Sequence, residues 1–402
     1  MKDLLFLNLR FPYPPHRGDR IRAYNLLSGL SRQFRITLIT FYEAERELEG
    51  VDALREVCHT VKVVRRPRWS GRARAMRNLA GSEPLQNGLW YSPDMQRMVD
   101  TTLDVCQPDV AQAQFFRMGQ YVAKASVPRL LDLGDALSLN LRRRAGRERN
   151  PALRWLTAHE AARAERFEGK IARDFDKVVI CSTVDREAIH AANGDLALEI
   201  IENGVDLDYY TPSEAQPDSR PPTMLFTGTM DYFPNTDAAY HLAEDVLPCV
   251  RARLPDARLL LVGANPPRSV RRLERHAGVV VTGRVPDIRP YFADADVFVS
   301  PMRCGSGTQN KNLEAMAMGV PVVTTRLGGY GTRVVEGQDM FCVDGAENVA
   351  ARAAEIMGDR DLRAAMARNG RQYVEREHGW DVITDKLASL LHSIIPAASD
   401  AA

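Results

Sequence analysis

The stretch CGSGTQNKNLEAMAMGVPVVTT, Cys304 to Thr325, places a lysine and a glutamate three residues apart at the start of a helix. It follows the apolar run DADVFVSP, so a buried strand ends at Ser300–Pro301, and a second strand, VPVVTT, begins after a stop at Gly319. A helix start presents unpaired N–H groups and partial positive charge, which together make a site for an anion. Gly305 and Gly307, on either side of Ser306, let the chain turn successive amides towards a ligand, and Thr308 or Asn310 can cap the helix. Lys311 and Arg303 add full positive charges, the complement of a departing diphosphate. Glu314 shares the helix face of Lys311 and can accept two hydrogen bonds from ribose hydroxyls. An ordinary i,i+3 pair at a capped helix start has the same spacing, so the motif alone leaves both readings open.

These residues need a scaffold, and the rest of the chain alternates between strand and helix patterns. DLLFLNL (3–9), RITLITF (35–41), VKVV (61–64), DVAQAQ (109–114), RLLDLG (129–134) and KVVICS (177–182) read as strands. Residues 20–32 and 151–174 have helical patterns. The segment 198–222 starts as a strand, turns at Asn203–Gly204 and becomes rich in Pro, Ser and Asp, which marks a domain boundary. Beyond it the alternation restarts with TMLFTG (223–228), RLLLVG (258–263), VVVTG (279–283), DVFVSP (296–301) and VPVVTT. Two doubly wound α/β domains follow from this pattern, with ligands bound beyond the carboxyl ends of the strands and the domains facing each other across a cleft. The expected divisions are 1–205, a linker over 206–222, 223–376, and a terminal helix with a frayed tail over 377–402 that can pack back on the first domain. Gly18, Gly228, Gly263 and Gly283 sit in or beside strand-to-helix loops, where a backbone can approach a ligand. There is no GxxxxGK[ST] and no GxGxxG opening a helix, so neither a P-loop ATPase nor a dinucleotide oxidoreductase has support.

The 402 residues are 45% apolar and 26% charged, an ordinary globular composition with no apolar run long enough to span a bilayer. Six scattered cysteines without a CxxC pair argue against a disulfide framework or zinc site and for a reducing, cytoplasmic setting. The formal net charge of +1 conceals an asymmetry: residues 1–200 hold 32 Lys+Arg against 25 Asp+Glu, leaving 21 against 27 in the remainder. The excess gathers in VVRRPRWSGRARAMRNL (63–79) and LRRRAGRER (141–149). Such runs are either solvated surface or a contact with anionic lipid headgroups, with Trp69 at the interface. Nucleic acid is disfavoured because the arginines are not interleaved with stacking aromatics.

FTGTMDYFPNTDAAYHL (226–242), LLLVGANP, VTGRVPDIRPYFADADVFVSPMRCGSGTQNKNLEAMAMGVPVVTT and IIENGVDLDYYTP together resemble the retaining glycosyltransferases of family 4, with the GT-B fold of two Rossmann-like domains. The N-terminal FPYPPHRGDRIRAYNLLSGLS fits the same resemblance, which covers nearly the whole chain. GTQNKNLEAMAM with LLDLGDALS is most similar to the sugar transferases of exopolysaccharide and exosortase (PEP-CTERM) systems. The resemblance implies that Glu314, second glutamate of the family's E-x7-E motif, holds the donor ribose, and that Lys311 sits on the diphosphate or sugar. It places Arg284 and Val285 beside the base and Gly18 in a loop over the phosphates. The first motif glutamate is replaced by Ser306, and Arg303 with the backbone of 305–308 can stand in for it. The Arg/Lys pair that many members carry after the first strand of the second domain is also missing, and MDYFPN occupies its place. The implied reaction moves a sugar from a UDP- or GDP-sugar to a glycan, lipid-linked or other hydroxyl acceptor with retention, without metal or other cofactor. A cytoplasmic enzyme peripheral to the membrane is expected. Asp135 is the candidate cleft residue near the acceptor, His16 the next, and for both an ordinary loop or capping role competes. A nucleotide-sugar epimerase and a non-catalytic nucleotide-sugar-binding scaffold are the alternatives.

Overall fold

The computed structural model describes residues 1–16, 18–66, 74, 76, 78, 81, 83–148, 150–194, 196–212, 220–305 and 308–396. The chain divides into two compact units, Met1–Asn203 with Trp380–Ala402, and Gly204–Gly379. Each is built around one parallel sheet.

Unit one holds seven strands: β1 (Lys2–Asn8), β2 (Phe34–Tyr42), β3 (Thr60–Arg65), β4 (Val110–Gln114), β5 (Arg129–Asp132), β6 (Lys177–Ile180) and β7 (Leu198–Ile200). They are ordered β3-β2-β1-β4-β5-β6-β7, with every pairing parallel. Successive side chains of a strand face opposite ways. Leu4 and Phe6 therefore join one apolar cluster while Leu5 and Leu7 join another, on opposite sides of β1. Runs such as LLFLN are continuous rather than alternating because both faces are covered. The helix Gly18–Leu30 buries Leu26, Leu27 and Leu30 in the first cluster, to which the terminal helix Trp380–Ile394 adds Ile383, Leu387 and Leu391. These two helices approach closely at Gly29, where a Cβ would lie 2.4 Å from the Thr384 side chain.

Unit two holds six strands: β8 (Thr223–Thr227), β9 (Arg258–Val262), β10 (Val279–Gly283), β11 (Val297–Ser300), β12 (Val322–Thr324) and β13 (Phe341–Cys342). Their order is β10-β9-β8-β11-β12-β13, again parallel throughout. Both sheets are of the kind that the βα alternation of the sequence implies. The two-residue β13 has too short an apolar signal to stand out in the sequence. Val205, expected at the end of the first domain, lies in the core of unit two, and Leu207 and Tyr210, expected in the linker 206–222, pack against that core. The Val205 N–H donates to the His378 carbonyl at 2.8 Å, so both ends of this unit are tied together.

One buried ion pair organises unit one. The Arg22 Nε donates to Asp132 Oδ2 at 2.9 Å, with the two side chains 4% and 0% exposed. The remaining guanidinium nitrogens donate to the carbonyls of Ile201 and Glu202 and to Asn203 Oδ1 at 2.9–3.0 Å. A single side chain thus joins the first helix, the end of β5 and the segment leaving β7. Arg22→Met should remove about 3–5 kcal/mol of unfolding free energy, because it leaves the Asp132 carboxylate buried without a counter-charge. Urea titration checks this, and a loss below about 1 kcal/mol would mean that water reaches Asp132 readily.

Candidate functional site

In unit two the carboxyl ends of β8 and β11 carry the residues singled out by the sequence. The helix Asn310–Ala317 follows β11 and is held by its buried side. The Ser300 hydroxyl donates to Asn312 Oδ1 at 2.6 Å, and the Asn312 amide donates to the Gly328 carbonyl at 3.0 Å. The Thr324 hydroxyl donates to the Ser300 carbonyl at 2.7 Å. Asn312, Leu313, Ala315 and Met316 are buried, so the helix presents Lys311 and Glu314 on its partly covered side.

Neither Thr308 nor Asn310 caps this helix, contrary to the expectation. Gln309 is the cap residue and makes no side-chain cap bond, while the Thr308 hydroxyl is buried without a partner among the described residues. Ser306 and Gly307 lie outside the described residues. Gly305 has φ +124°, a conformation that favours glycine, and a Cβ there would touch only the Gln309 amide, at 3.7 Å.

The i,i+3 pair between Lys311 and Glu314 is not formed either. Lys311 Nζ donates to Asn235 Oδ1 at 2.5 Å and lies 4.7 Å from the centroid of the Phe226 ring. Burial lowers its pKa to about 8, against the charge of Glu314 acting the other way. Burial raises the Glu314 carboxyl to about 7, opposed by the Lys311 charge and by a hydrogen bond from Tyr210. Both groups are thus poised near neutrality, a feature associated with ligand and active sites. Arg303 does not present an open charge. Its Nε and one terminal nitrogen donate to the two Asp237 oxygens at 2.9 and 2.7 Å, which neutralises it in this structure.

Gly228 and Gly263 serve a packing need where β8 and β9 end. A Cβ on Gly263 would lie 1.8 Å from the Gly228 carbonyl oxygen, and one on Gly228 would lie 2.6 Å from the Asn235 amide nitrogen. These glycines let the Asn235 side chain lie over the strand ends, where its amide donates to the Thr229 carbonyl and its oxygen receives Lys311. Arg284 is exposed directly after β10, and Val285 packs against the unit-two core. Sequence reasoning passed over Asn235, Tyr209 and Tyr210. Asn235 stands in the MDYFPN segment that occupies the place of the family's cationic pair. The two tyrosines were an aromatic signal inside a stretch otherwise polar enough to read as linker. Tyr209 donates to Asp287 Oδ1 at 3.2 Å, and the Arg289 guanidinium lies 4.3 Å from the centroid of its ring.

The remaining candidates belong to unit one. Gly18 begins the helix Gly18–Leu30, and a Cβ there would meet nothing within 4 Å. His16 is exposed, its N–H donating to the Pro14 carbonyl. Asp135 is exposed after β5, where Cys181 Sγ donates to its Oδ1 at 3.1 Å. Asp135, Cys181 and Asp185 offer ligand atoms within 4.8 Å of one another, the one such group among the described residues. Asp185 is already committed, because it accepts from the Ala136 N–H at 3.1 Å and from the Ser182 hydroxyl. The Ser182 oxygen in turn accepts from the Asp185 N–H, the N-cap bond of the helix Thr183–Asn193. Trp69 and most of the first arginine-rich run lie outside the described residues. Among the described residues no helix is long and apolar enough to cross a membrane.

Solved structures share this two-sheet arrangement over almost the whole chain. Sucrose-phosphate synthase from Thermosynechococcus elongatus superposes with a TM-score of 0.70 at 16% identity, covering 98% of this chain and 99% of that one. Anabaena HepE in complex with UDP and glucose gives 0.67 at 18% identity, covering 98% and 100%. The fold is GT-B. Within it, residues 221–359 match the family model described as glycosyl transferases group 1. A GDP-mannose-dependent alpha-(1-6)-phosphatidylinositol monomannoside mannosyltransferase of Mycobacterium tuberculosis is 32% identical over 240 residues, 54% of this chain and 61% of that protein. A Corynebacterium glutamicum GDP-mannose-dependent monoacylated alpha-(1-6)-phosphatidylinositol monomannoside mannosyltransferase is 30% identical over 251 residues, 56% and 64% of the two. The chain thus spans a little over three-fifths of the length of these curated relatives. In this GT-B chain the group 1 match covers Asn235, Arg303, Lys311 and Glu314.

Glu314 makes the ligand-free protein pH-sensitive in a defined direction. Its pKa of about 7 in the fold lies above the ordinary 4.5, so the neutral form is favoured on folding. The associated stability is complete below about pH 4.5 and is lost as pH rises towards 7. Glu314→Gln removes this dependence. The unfolding free energy of the variant relative to the parent should therefore increase across that window and level off above it. Parallel curves in urea titrations would mean that Glu314 is not desolvated.

Proposed function

We propose that the protein transfers a sugar, with retention, from a nucleoside-diphosphate donor to a hydroxyl of a glycan or lipid-linked acceptor. The setting would be the cytoplasmic face of a membrane, in exopolysaccharide or cell-envelope glycan synthesis. The observation that carries this reading is the start of the helix Asn310–Ala317. It has no side-chain cap, the buried Thr308 hydroxyl beside it has no partner among the described residues, and Lys311 and Glu314 occupy its first turns. A diphosphate supplies acceptors for the Thr308 hydroxyl and the Lys311 ammonium at the positive end of the helix, while ribose hydroxyls supply donors to the Glu314 carboxylate.

In the transfer the bond between the anomeric carbon and the diphosphate breaks, and a new bond forms to the acceptor oxygen on the same face. Negative charge grows on the diphosphate, where Lys311 and the helix amides stabilise it, and the acceptor proton passes to a leaving phosphate oxygen. These groups serve without a metal. GDP is the first nucleotide to test because the curated relatives are named as GDP-mannose-dependent, and UDP the second because it accompanies the Anabaena structure. The pairing of Arg303 with Asp237 and the serine at 306 favour one other reading, a scaffold that binds the nucleotide sugar without turning it over.

Thermal unfolding with GDP, UDP, ADP and their sugars tests the site. At about a hundredfold excess over Kd one nucleotide should stabilise the protein by about 2.7 kcal/mol. The shift should disappear in Lys311→Ala and in Glu314→Ala. No shift with any nucleotide would overturn the reading, and a shift without sugar release in the presence of membrane acceptors would favour the scaffold.

A further inference from the structure

The helix Pro151–Ala172 is capped by Asn150, whose side chain accepts from the N–H groups of Ala152 and Leu153 at 3.0 and 3.3 Å. From Glu160 onward it is a core helix, with Ala161, Ala164, Phe167 and Ile171 buried. Its first turns differ, since every residue from Asn150 to Leu156 is exposed. Leu153, Trp155 and Leu156 have 50%, 67% and 42% of their surfaces open. The spacing is informative. Leu153 is seven residues and Leu156 four residues before the buried Glu160, so the core-facing stripe runs on past the body that covers it. Trp155 stacks on His159 at 5.4 Å between ring centroids and widens the apolar face.

The preceding helix, Leu137–Arg147, packs beside it and carries no acidic residue. Arg142 is tied to Glu165, whereas Arg144, like Arg154 of the longer helix, stands exposed. Residues 137–159 hold six arginines and one glutamate, a net of +5. A second copy of the chain would bring the exposed Arg144 and Arg154 against their own counterparts beside this apolar face, and the repulsion disfavours that occupant. An anionic lipid surface matches both features, with headgroups opposite the arginines and acyl chains receiving Trp155 and the two leucines.

We infer that the tip of this helical hairpin, Leu153, Trp155 and Leu156 flanked by Arg144 and Arg154, docks the protein on an anionic lipid bilayer. The inference deepens the proposed transfer reading by naming the surface that would hold the enzyme at a membrane-borne acceptor. It rests on that reading only for the purpose of the contact.

The test is co-sedimentation of the full chain with vesicles of phosphatidylcholine alone and with about one-third phosphatidylglycerol. The parent should bind the anionic vesicles, and more weakly as salt rises. The exposed triple substitution Leu153→Ser, Trp155→Ser, Leu156→Ser should weaken binding at least about tenfold. The charge reversal Arg144→Glu, Arg154→Glu should do the same. Vesicles should also blue-shift the tryptophan emission of the parent and leave that of Trp155→Phe unmoved. Equal vesicle binding by parent and triple variant, or no binding by the parent, would overturn the docking surface. So would a parent dimer that the triple substitution converts to monomer, because the stripe would then be covered by a second copy. Nucleotide-induced thermal shifts measured on the same proteins separate the two ideas. Intact shifts without vesicle binding sink only the docking surface, and vesicle binding without shifts sinks only the donor site.

Discussion

The position of Lys311 and Glu314 depends on the residue between them. Asn312 points the opposite way from its charged neighbours and is buried, receiving the Ser300 hydroxyl and donating to the Gly328 carbonyl. Those two bonds fix the helix to the end of β11 and to the turn after β12. A helix held only by Leu313 and Met316 could slide, because apolar contacts are not directional. Hydrogen bonds among buried groups tolerate little movement, since a displaced donor or acceptor has no water to replace its partner. The phase of the helix, and with it the placement of one lysine and one glutamate, follows from this small network.

The consequences reach the electrostatics. Once the helix phase is set, Lys311 is directed against Phe226 and Asn235, where it loses much of its water, and Glu314 is directed against Tyr210. Both groups are held away from their ordinary pKa values by the same cause, burial, and each partly compensates the other. A site in that condition favours a ligand that brings acceptors for the ammonium and donors for the carboxylate at once. The protein thus holds two desolvated titratable groups side by side, and folding elsewhere must offset the cost. The buried Arg22–Asp132 pair and the two-sided cores show where unit one is most tightly ordered.

Local patterns had different fates in the fold. The βα order was legible because each apolar run had both the length and the flanking turn of a buried parallel strand, as in LLFLN and LLLV. Exceptions came where length failed, as at Phe341–Cys342, or where a polar stretch hid core residues, as at Val205 and Tyr210. Arg303 read as a free cation because the sequence cannot show Asp237, 66 residues away, closing on it through two hydrogen bonds. Thr308 read as a cap because its type and position suit one, yet the backbone at Gln309 took that place and left the hydroxyl with no partner among the described residues.

The sequence by itself determined the two parallel sheets, the helix that follows the strand ending at Ser300, and the three-residue spacing of Lys311 and Glu314 on it, all matters of periodicity and short spacing that a chain carries locally. Only the tertiary structure decided which polar atoms meet. It placed Asn235 on Lys311 and Tyr210 on Glu314, and it let the stripe of Leu153 and Leu156 run beyond its covering. Partnership between residues far apart in the chain depends on how complete elements pack, and hydrogen bonding and desolvation act over a few ångströms of space regardless of separation in sequence.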